Sequence, residues 1–252
     1  TGSTLQIYDP ARPFHPGTAR DPEPPDAERG CNPANYGSIA PNQQRPYDMA
    51  LGADGRIYLA SVAGYGFLRG VIAWYDPETD GIDFVPNPLG EESLTALCPL
   101  PDGPLIVASA LLGGGVAVPK TDARLFTWDP RARAVIGEPT VPVPGEVEIG
   151  NLTLGGDGLL YGSAVQQLFV ADPATLRVLA RGRSPLSHVR RAGMLTLEDG
   201  RVIALCGPYA TFLRYRDGAL DIDIFAECEK WPWVGKAVVD GYLYAASGME
   251  LL

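Results

Sequence analysis

An Asp-Gly pair followed by a short apolar run occurs five times in this chain, in ADGRIYLAS, PDGPLIVAS, GDGLLYGSA, EDGRVIALC and VDGYLYAAS. The aspartates are Asp54, Asp102, Asp157, Asp199 and Asp240, at intervals of 41 to 55 residues. Asp-Gly supplies the positive backbone torsions that a two-residue hairpin turn requires. A short apolar strand precedes the pair, as in DMALG, SLTALCPL and NLTLG. After each of the first four hairpins comes a third strand closing on a second turn, in VIAWYDPETDG, RLFTWDPRARA, QLFVADPATLR and FLRYRDGALD. Its aspartate is expected to accept hydrogen bonds from the backbone beyond it, and in three of the four a proline presets the next torsion. A fourth strand follows, as in IDFVP, AVIGE, RVLAR and DIDIF.

Four strands per unit, restated with the same two turns in the same order, is the arithmetic of a β-propeller blade. A β-sandwich also has short strands and regular turns, but nothing in it requires that order to recur. The expectation is therefore an all-β chain, a β-propeller of four-stranded antiparallel blades. It forms a single domain over 1–252, with blade units starting near 46, 93, 150, 192 and 235 and a long Pro-rich inter-blade loop over 11–44. No stretch holds a helical period. At the start, LQIYDPARPF reads as a third strand with its turn, and GMELL falls where the third strand of the fifth unit begins. Two readings follow: a closed ring of five blades, or part of a ring of six to eight.

The units, DGLLYGSA with LFVADPATLRV above all, resemble the blades of bacterial quinoprotein-like, YVTN-type and gluconolactonase-type propellers. The resemblance runs from Arg45 onward and implies fold more than activity. The class includes dehydrogenases, lactonases, polysaccharide lyases, glycosidases and plain binding scaffolds. The tryptophan-docking signature of a quinoprotein blade is absent, as is the His and Trp-Asp pattern of propellers that bind regulatory proteins.

A formal net charge of −10 argues against a phosphate-backbone binder, so nucleic acid is not an expected partner. No apolar run approaches the length needed to cross a bilayer, and a membrane is not expected either. No signal peptide is visible at Thr1, and a secreted or periplasmic location is the expectation for a chain of this kind. The cysteines show no Cys-x-x-Cys spacing. Cys98 and Cys206 lie in apolar runs and read as small buried hydrophobes, while Cys31 and Cys228 lie in loop-like sequence where an oxidising compartment would allow pairing.

In a propeller, the turns joining strands one to two and three to four share one face. The loops joining two to three, and one blade to the next, share the other. Here the first kind is tight. The second kind is long and varied, in VAGYGFLRG, ALLGGGVAVPKTDA and GPYAT within blades, and in NPLGEE, PTVPVPGEVEIG, GRSPLSHVRR and AECEKWPWVG between them. Such loops are the usual carriers of binding and catalysis. Residues just before each innermost strand converge on the mouth of the central channel: Arg45, Tyr47 and Asp48; Glu92 and Ser93; Glu148 and Asn151; Arg190 and Arg191; and Lys236. Cations gathered there, within an acidic chain, point to a small anion or a uronic-acid sugar. Arginine is the favoured partner, because its planar fork matches a carboxylate in two bonds.

For chemistry, His15 sits in a Pro-rich segment, whereas His188 leads into the inner strand of the fourth blade beside Arg190 and Arg191. With a uronate bound, Arg191 or Arg190 would neutralise the carboxylate while His188 or Tyr65 removed the proton beside it, which is β-elimination. The resemblance allows this, since some polysaccharide lyases and rhamnosidases of the fold use a central histidine. Tyr65 and Arg69, from the first long loop, and Tyr209, from GPYAT, complete the expected substrate contacts. The alternatives are a metal-dependent, lactonase-like hydrolase and a non-catalytic ligand or protein scaffold. No cofactor is expected for the sugar reading. The lactonase reading would take calcium, with Asp48, Glu92, Glu148 and Asn151 as oxygen ligands.

Overall fold

The computed structural model describes residues 3–15, 31–86, 88–185, 189, 193–227, 234–239, 242–247 and 250–251. A hairpin comes first, β1 (Thr4–Ile7) against β2 (Ala34–Ser38). Four four-stranded antiparallel sheets follow. The first holds β3 (Gln43–Leu51), β4 (Ile57–Ala63), β5 (Val71–Asp76) and β6 (Gly81–Pro86). The second holds β7 (Ser93–Pro99), β8 (Leu105–Ala110), β9 (Leu125–Asp129) and β10 (Ala134–Thr140). The third holds β11 (Asn151–Leu154), β12 (Leu160–Ala164), β13 (Gln167–Ala171) and β14 (Val178–Arg183). The fourth holds β15 (Met194–Thr196), β16 (Val202–Cys206), β17 (Tyr209–Arg216) and β18 (Ala219–Glu227). A fifth, three-stranded sheet is made of β19 (Val234–Val239), β20 (Tyr242–Ser247) and β21 (Glu250–Leu251).

The turns form for the reasons the sequence supplies. Gly55, Gly103, Gly158 and Gly200 of the Asp-Gly pairs have φ of 80, 116, 76 and 83°, torsions that cost glycine nothing. Asp54, Asp157 and Asp199 each accept the N–H two residues on through Oδ1. In the second turns, Asp76, Asp129 and Asp172 accept the N–H groups of Glu78, Arg131 and Ala174 at 2.8–2.9 Å. Two blades add a buried tyrosine to this scheme: Tyr58 donates to Asp54 at 2.7 Å and Tyr161 to Asp157 at 2.6 Å. Burial, then the carboxylate beside each phenol, push both tyrosines far above their ordinary range, so they remain hydrogen-bond donors.

Each sheet stacks face to face on the next, and alternation along the strands sorts side chains between the two seams. Between the first and second sheets lie Tyr58, Ile72, Trp74, Leu94, Leu97, Leu105, Val107, Phe126 and Trp128. The other face of the second sheet gives Ala96, Ile106, Ala108 and Leu125 to a seam with Ile149, Leu160, Phe169 and Ala171 of the third blade. Tyr161, Leu168 and Val170 then meet Met194, Val202, Ala204 and Leu213 of the fourth. Ile203, Leu205 and Ala210 continue towards Leu243 of the fifth sheet. On the other side, Leu5, Ile7 and Tyr36 of the hairpin pack on Leu59, Val71 and Ala73 of the first sheet.

The first strands lie side by side, β3 against β7, β7 against β11 and β11 against β15. The fourth strands β6, β10, β14 and β18 are the exposed rims. Inner strands are also stapled to one another by side-chain hydrogen bonds. Leu97 N–H donates to Asp48 Oδ2 at 2.8 Å, Thr95 Oγ1 to the Ile149 carbonyl at 2.7 Å, and Thr196 Oγ1 to the Leu154 carbonyl at 2.7 Å.

The N-terminal strand pairs with Ala34–Ser38 in its own hairpin, and among the described residues it shares no sheet or apolar cluster with β19, β20 or β21. Cys31 carries a free thiol, as do Cys98 and Cys206, and Cys228 lies outside the described residues.

Candidate functional site

Among the described residues, the long loops within blades come from the first two. Residues 64–70 join β4 to β5, and residues 111–124 join β8 to β9. In the third blade the corresponding connection is only Val165 and Gln166, and in the fourth only Gly207 and Pro208. GPYAT is therefore not a loop: Tyr209 opens β17, opposite Cys206 and Glu227, and is half-buried. Pro208 fits the turn, after which Tyr-Ala-Thr continues the alternation of a strand.

The two long loops are locked together. Tyr65 and Gly114 form an isolated bridge, Gly66 N–H donates to the Gly114 carbonyl at 2.5 Å, and Gly114 N–H to Phe67 at 3.0 Å. The second loop is tied in turn to the connection before the third blade. Gly145 N–H donates to Asp122 Oδ1 at 2.5 Å, Ala123 N–H to Glu146 at 2.8 Å, and Leu111 N–H to Val147 at 2.8 Å. The Gly145 N–H, and after it the Thr121 hydroxyl, hold the Asp122 carboxyl below its ordinary range. On this frame Tyr65 stands 85% exposed and Phe67 46% exposed.

Arg69 closes the first loop in an unusual conformation. Its φ is +85°, a region that L-residues with long side chains rarely occupy. Both of its backbone polar groups are held, the N–H by the Glu91 carbonyl at 3.3 Å and the carbonyl by Gln43 Nε2 at 3.2 Å. Gln43 is itself fixed by Ser61, whose hydroxyl donates to Gln43 Oε1 at 2.7 Å. Behind Glu91, the buried carboxylate of Glu92 receives Arg124 Nε at 2.9 Å and a second guanidinium N–H of the same residue, while Arg124 also donates to the Leu89 carbonyl at 3.2 Å. Local backbone strain of this kind persists only where the surroundings over-determine it, and such positions cluster at binding sites.

Arg45 lies at the same end of the first blade, opposite Val62 and between two bulges of β3, at Gln43/Arg45 and at Pro46/Asp48. Bulges re-aim side chains at the ends of sheets. Arg45 and Arg69 are both exposed and make no ion pair with another described residue. Tyr47 is half-buried on the same strand. Lys236 falls at a bulge in β19, opposite Ala245.

Other expected site residues are engaged in holding the blades. Asp48 spans to the second blade through Leu97. Asn151 donates to Ser163 Oγ at 2.8 Å and accepts Gly193 N–H at 2.9 Å, bridging the third and fourth blades. Glu92 is taken up by Arg124, and Glu148 forms a bridge with Ala110. Among the described residues, no group of three or more His, Cys, Asp and Glu side chains is placed to hold a metal ion. His15 is exposed, with its backbone paired to Asn32. His188, Arg190 and Arg191 lie outside the described residues. Phe67 was missed in the sequence, although its place between Tyr65 and Arg69 in one long loop was signal enough.

No protein-family signature and no curated protein sequence matches the chain. Solved structures do. The Dos1 propeller aligns with a TM-score of 0.56 at 16% identity, covering 78% of this chain and 50% of that one. A catalytically inactive virginiamycin B lyase from Staphylococcus aureus, in a structure with quinupristin, aligns at 0.55 and 13% identity, over 79% and 62%. A protein of unknown function from Bacteroides caccae aligns at 0.49 and 12% identity, over 77% and 65%. The chain thus spans between half and two thirds of the length of these structures. With its stacked four-stranded sheets, and with the Dos1 propeller and the lyase as structural neighbours, the chain is a β-propeller.

Proposed function

We propose that the long-loop face binds a small acidic carbohydrate, one containing uronic acid, at the mouth formed by the first two blades. Tyr65 and Phe67 supply ring faces for the sugar, and Arg69 and Arg45 supply guanidinium groups for its carboxylates. The observation that carries this reading is Arg69, an exposed cation held at φ +85° by bonds to Glu91 and Gln43 and set on the same loop as two exposed aromatic rings. The proposal is confined to binding, because the described residues of this face supply groups for recognition, and His188 lies outside them. A propeller with a lyase name among the structural neighbours bears on the fold alone at 13% identity.

Arg69→Gly separates a binding role from a structural one. Glycine accepts the torsion without strain, so the variant should be as stable as the parent or more so, by about 1 kcal/mol in urea unfolding. It should nonetheless bind trigalacturonate at least about tenfold more weakly by calorimetry, a loss of ~1.4 kcal/mol. Saturable binding that is unchanged in the variant, or no binding by the parent, would overturn the reading.

A further inference from the structure

The fourth blade departs from the others on the opposite, tight-turn face. In the first three blades an aspartate closes the third strand: Asp76 and Asp129 are its last residue, and Asp172 follows it directly. Strand pairing shows what replaces it in the fourth. Ile57 faces Tyr75 and Leu105 faces Trp128, each just before that aspartate; the corresponding pair in the fourth blade is Val202 and Leu213. The next residue is Arg214. The hairpin then runs on, with Arg214 opposite Asp221, Tyr215 opposite Leu220 and Arg216 opposite Ala219, before turning at Asp217 and Gly218. An aspartate has become an arginine, and the hairpin overhangs the face.

The consequence is clearest against the first blade, the other one with Asp-Gly-Arg in its first turn. There Arg56 donates Nε to Asp76 Oδ2 at 3.0 Å and also pairs with Asp54 of its own turn at 3.2 Å. In the fourth blade the equivalent arginine, Arg201, meets the Arg214 position instead. It keeps the turn aspartate, Asp199, with Nε 2.7 Å from Oδ2, and in place of a second carboxylate lies 4.5 Å above the centroid of the Phe212 ring. Arg214 is left exposed, with no ion pair to another described residue. Two guanidinium groups thus occupy a place where the parent pattern holds one cation and one anion.

They line a cleft of about 450 Å³ between the third and fourth blades, together with Asp157, Tyr161, Asp199, Val202, Phe212 and Tyr215 among others. Its carboxylates are already committed: Asp157 accepts the Tyr161 hydroxyl and Leu159 N–H, and Asp199 accepts Arg201. Its walls are fixed as well. The overhanging hairpin is pinned where Tyr215 N–H donates to the Tyr161 hydroxyl oxygen at 3.0 Å. At the other end Gly156 N–H donates to the Gly200 carbonyl at 2.9 Å, an approach that a side chain at position 156 would block. The residue before Asp-Gly is Ala53, Pro101, Glu198 and Val239 in the other units, so the glycine that allows this contact occurs at this seam alone.

We infer that this cleft is a second binding site, for a small organic anion whose phosphate or carboxylate is held between Arg214 and Arg201 and whose apolar part lies along Val202 and Tyr215. The site lies on the face away from Tyr65 and Arg69 and does not depend on what binds there. The probes are phenyl phosphate, benzoate and inorganic phosphate, titrated into the intact chain and followed by amide and arginine side-chain NMR shifts. Phenyl phosphate should saturate shifts at Arg201, Arg214 and Tyr215 and bind more tightly than inorganic phosphate. Arg214→Asp restores the residue type of the other blades and should fold, with the new carboxylate pairing with Arg201; it should weaken phenyl phosphate at least about tenfold. Arg69→Gly should leave that binding unchanged. The inference is overturned if none of the three probes saturates, if the shifts fall elsewhere, or if a folded Arg214→Asp chain binds as the parent does.

Discussion

Phe126→Ala should destabilise the fold by about 3–5 kcal/mol, read as a drop in the urea midpoint with little change in slope. Phe126 is fully buried in β9, in the seam between the first two blades, clustered with Trp74 of the first blade and with Leu94 and Val107 of its own. Truncation removes both its transfer free energy and its contacts, and a seam fixed by paired strands on both sides cannot close over the space. The size of the effect tests the stacking itself, because a ring lying on an unstacked sheet would be partly solvated already. A loss below about 1 kcal/mol would mean that this seam is not packed as described.

Arg124→Ala should cost about 3 kcal/mol through a different cause. The Glu92 side chain is wholly buried, and its Oε1 receives two bonds from Arg124 while Oε2 has no bonded partner among the described residues. Removing the cation strands a carboxylate out of water, and that uncompensated charge is the main expense. The side chain of Arg124 is 23% exposed, which puts the expected cost at the lower end of the range for a buried pair. Adding Glu92→Gln should recover part of the loss, because the stranded charge is gone. Equal destabilisation by the single and double variants would show that Arg124 acts by packing alone. Since Arg124 also holds the Leu89 carbonyl, beside the Glu91 and Glu92 carbonyls that hold Arg69 and Gly70, the single variant should weaken ligand binding too.

The blades were legible because their turns are local chemistry. Asp-Gly and Asp-Pro write their torsions and hydrogen bonds within a few residues, so five recurrences fix where the strands begin and end. The mouth was less legible for a physical reason. A polar side chain at the start of an inner strand can face the channel or reach sideways to the next blade, and sequence does not distinguish the two. Asp48 and Asn151 reach sideways, to Leu97 and Gly193, and Glu92 turns to Arg124 within its own blade. The torsion of Arg69 depends on Glu91 and Gln43, 22 and 26 residues away along the chain, so no local signal announces it. The Arg214 substitution needs strand register before it can be seen at all, since FLRYRDG aligned by its own turn hides the longer hairpin.

Mapping backbone amide shifts during a trigalacturonate titration tests the assigned mouth most directly. Saturable shifts should concentrate at Arg45, at residues 64–70 and at Gly113–Gly115, while the Asp-Gly turns at Asp54, Asp102 and Asp157 stay in place. Shifts centred on those turns, or no saturable shifts at all, would contradict the account.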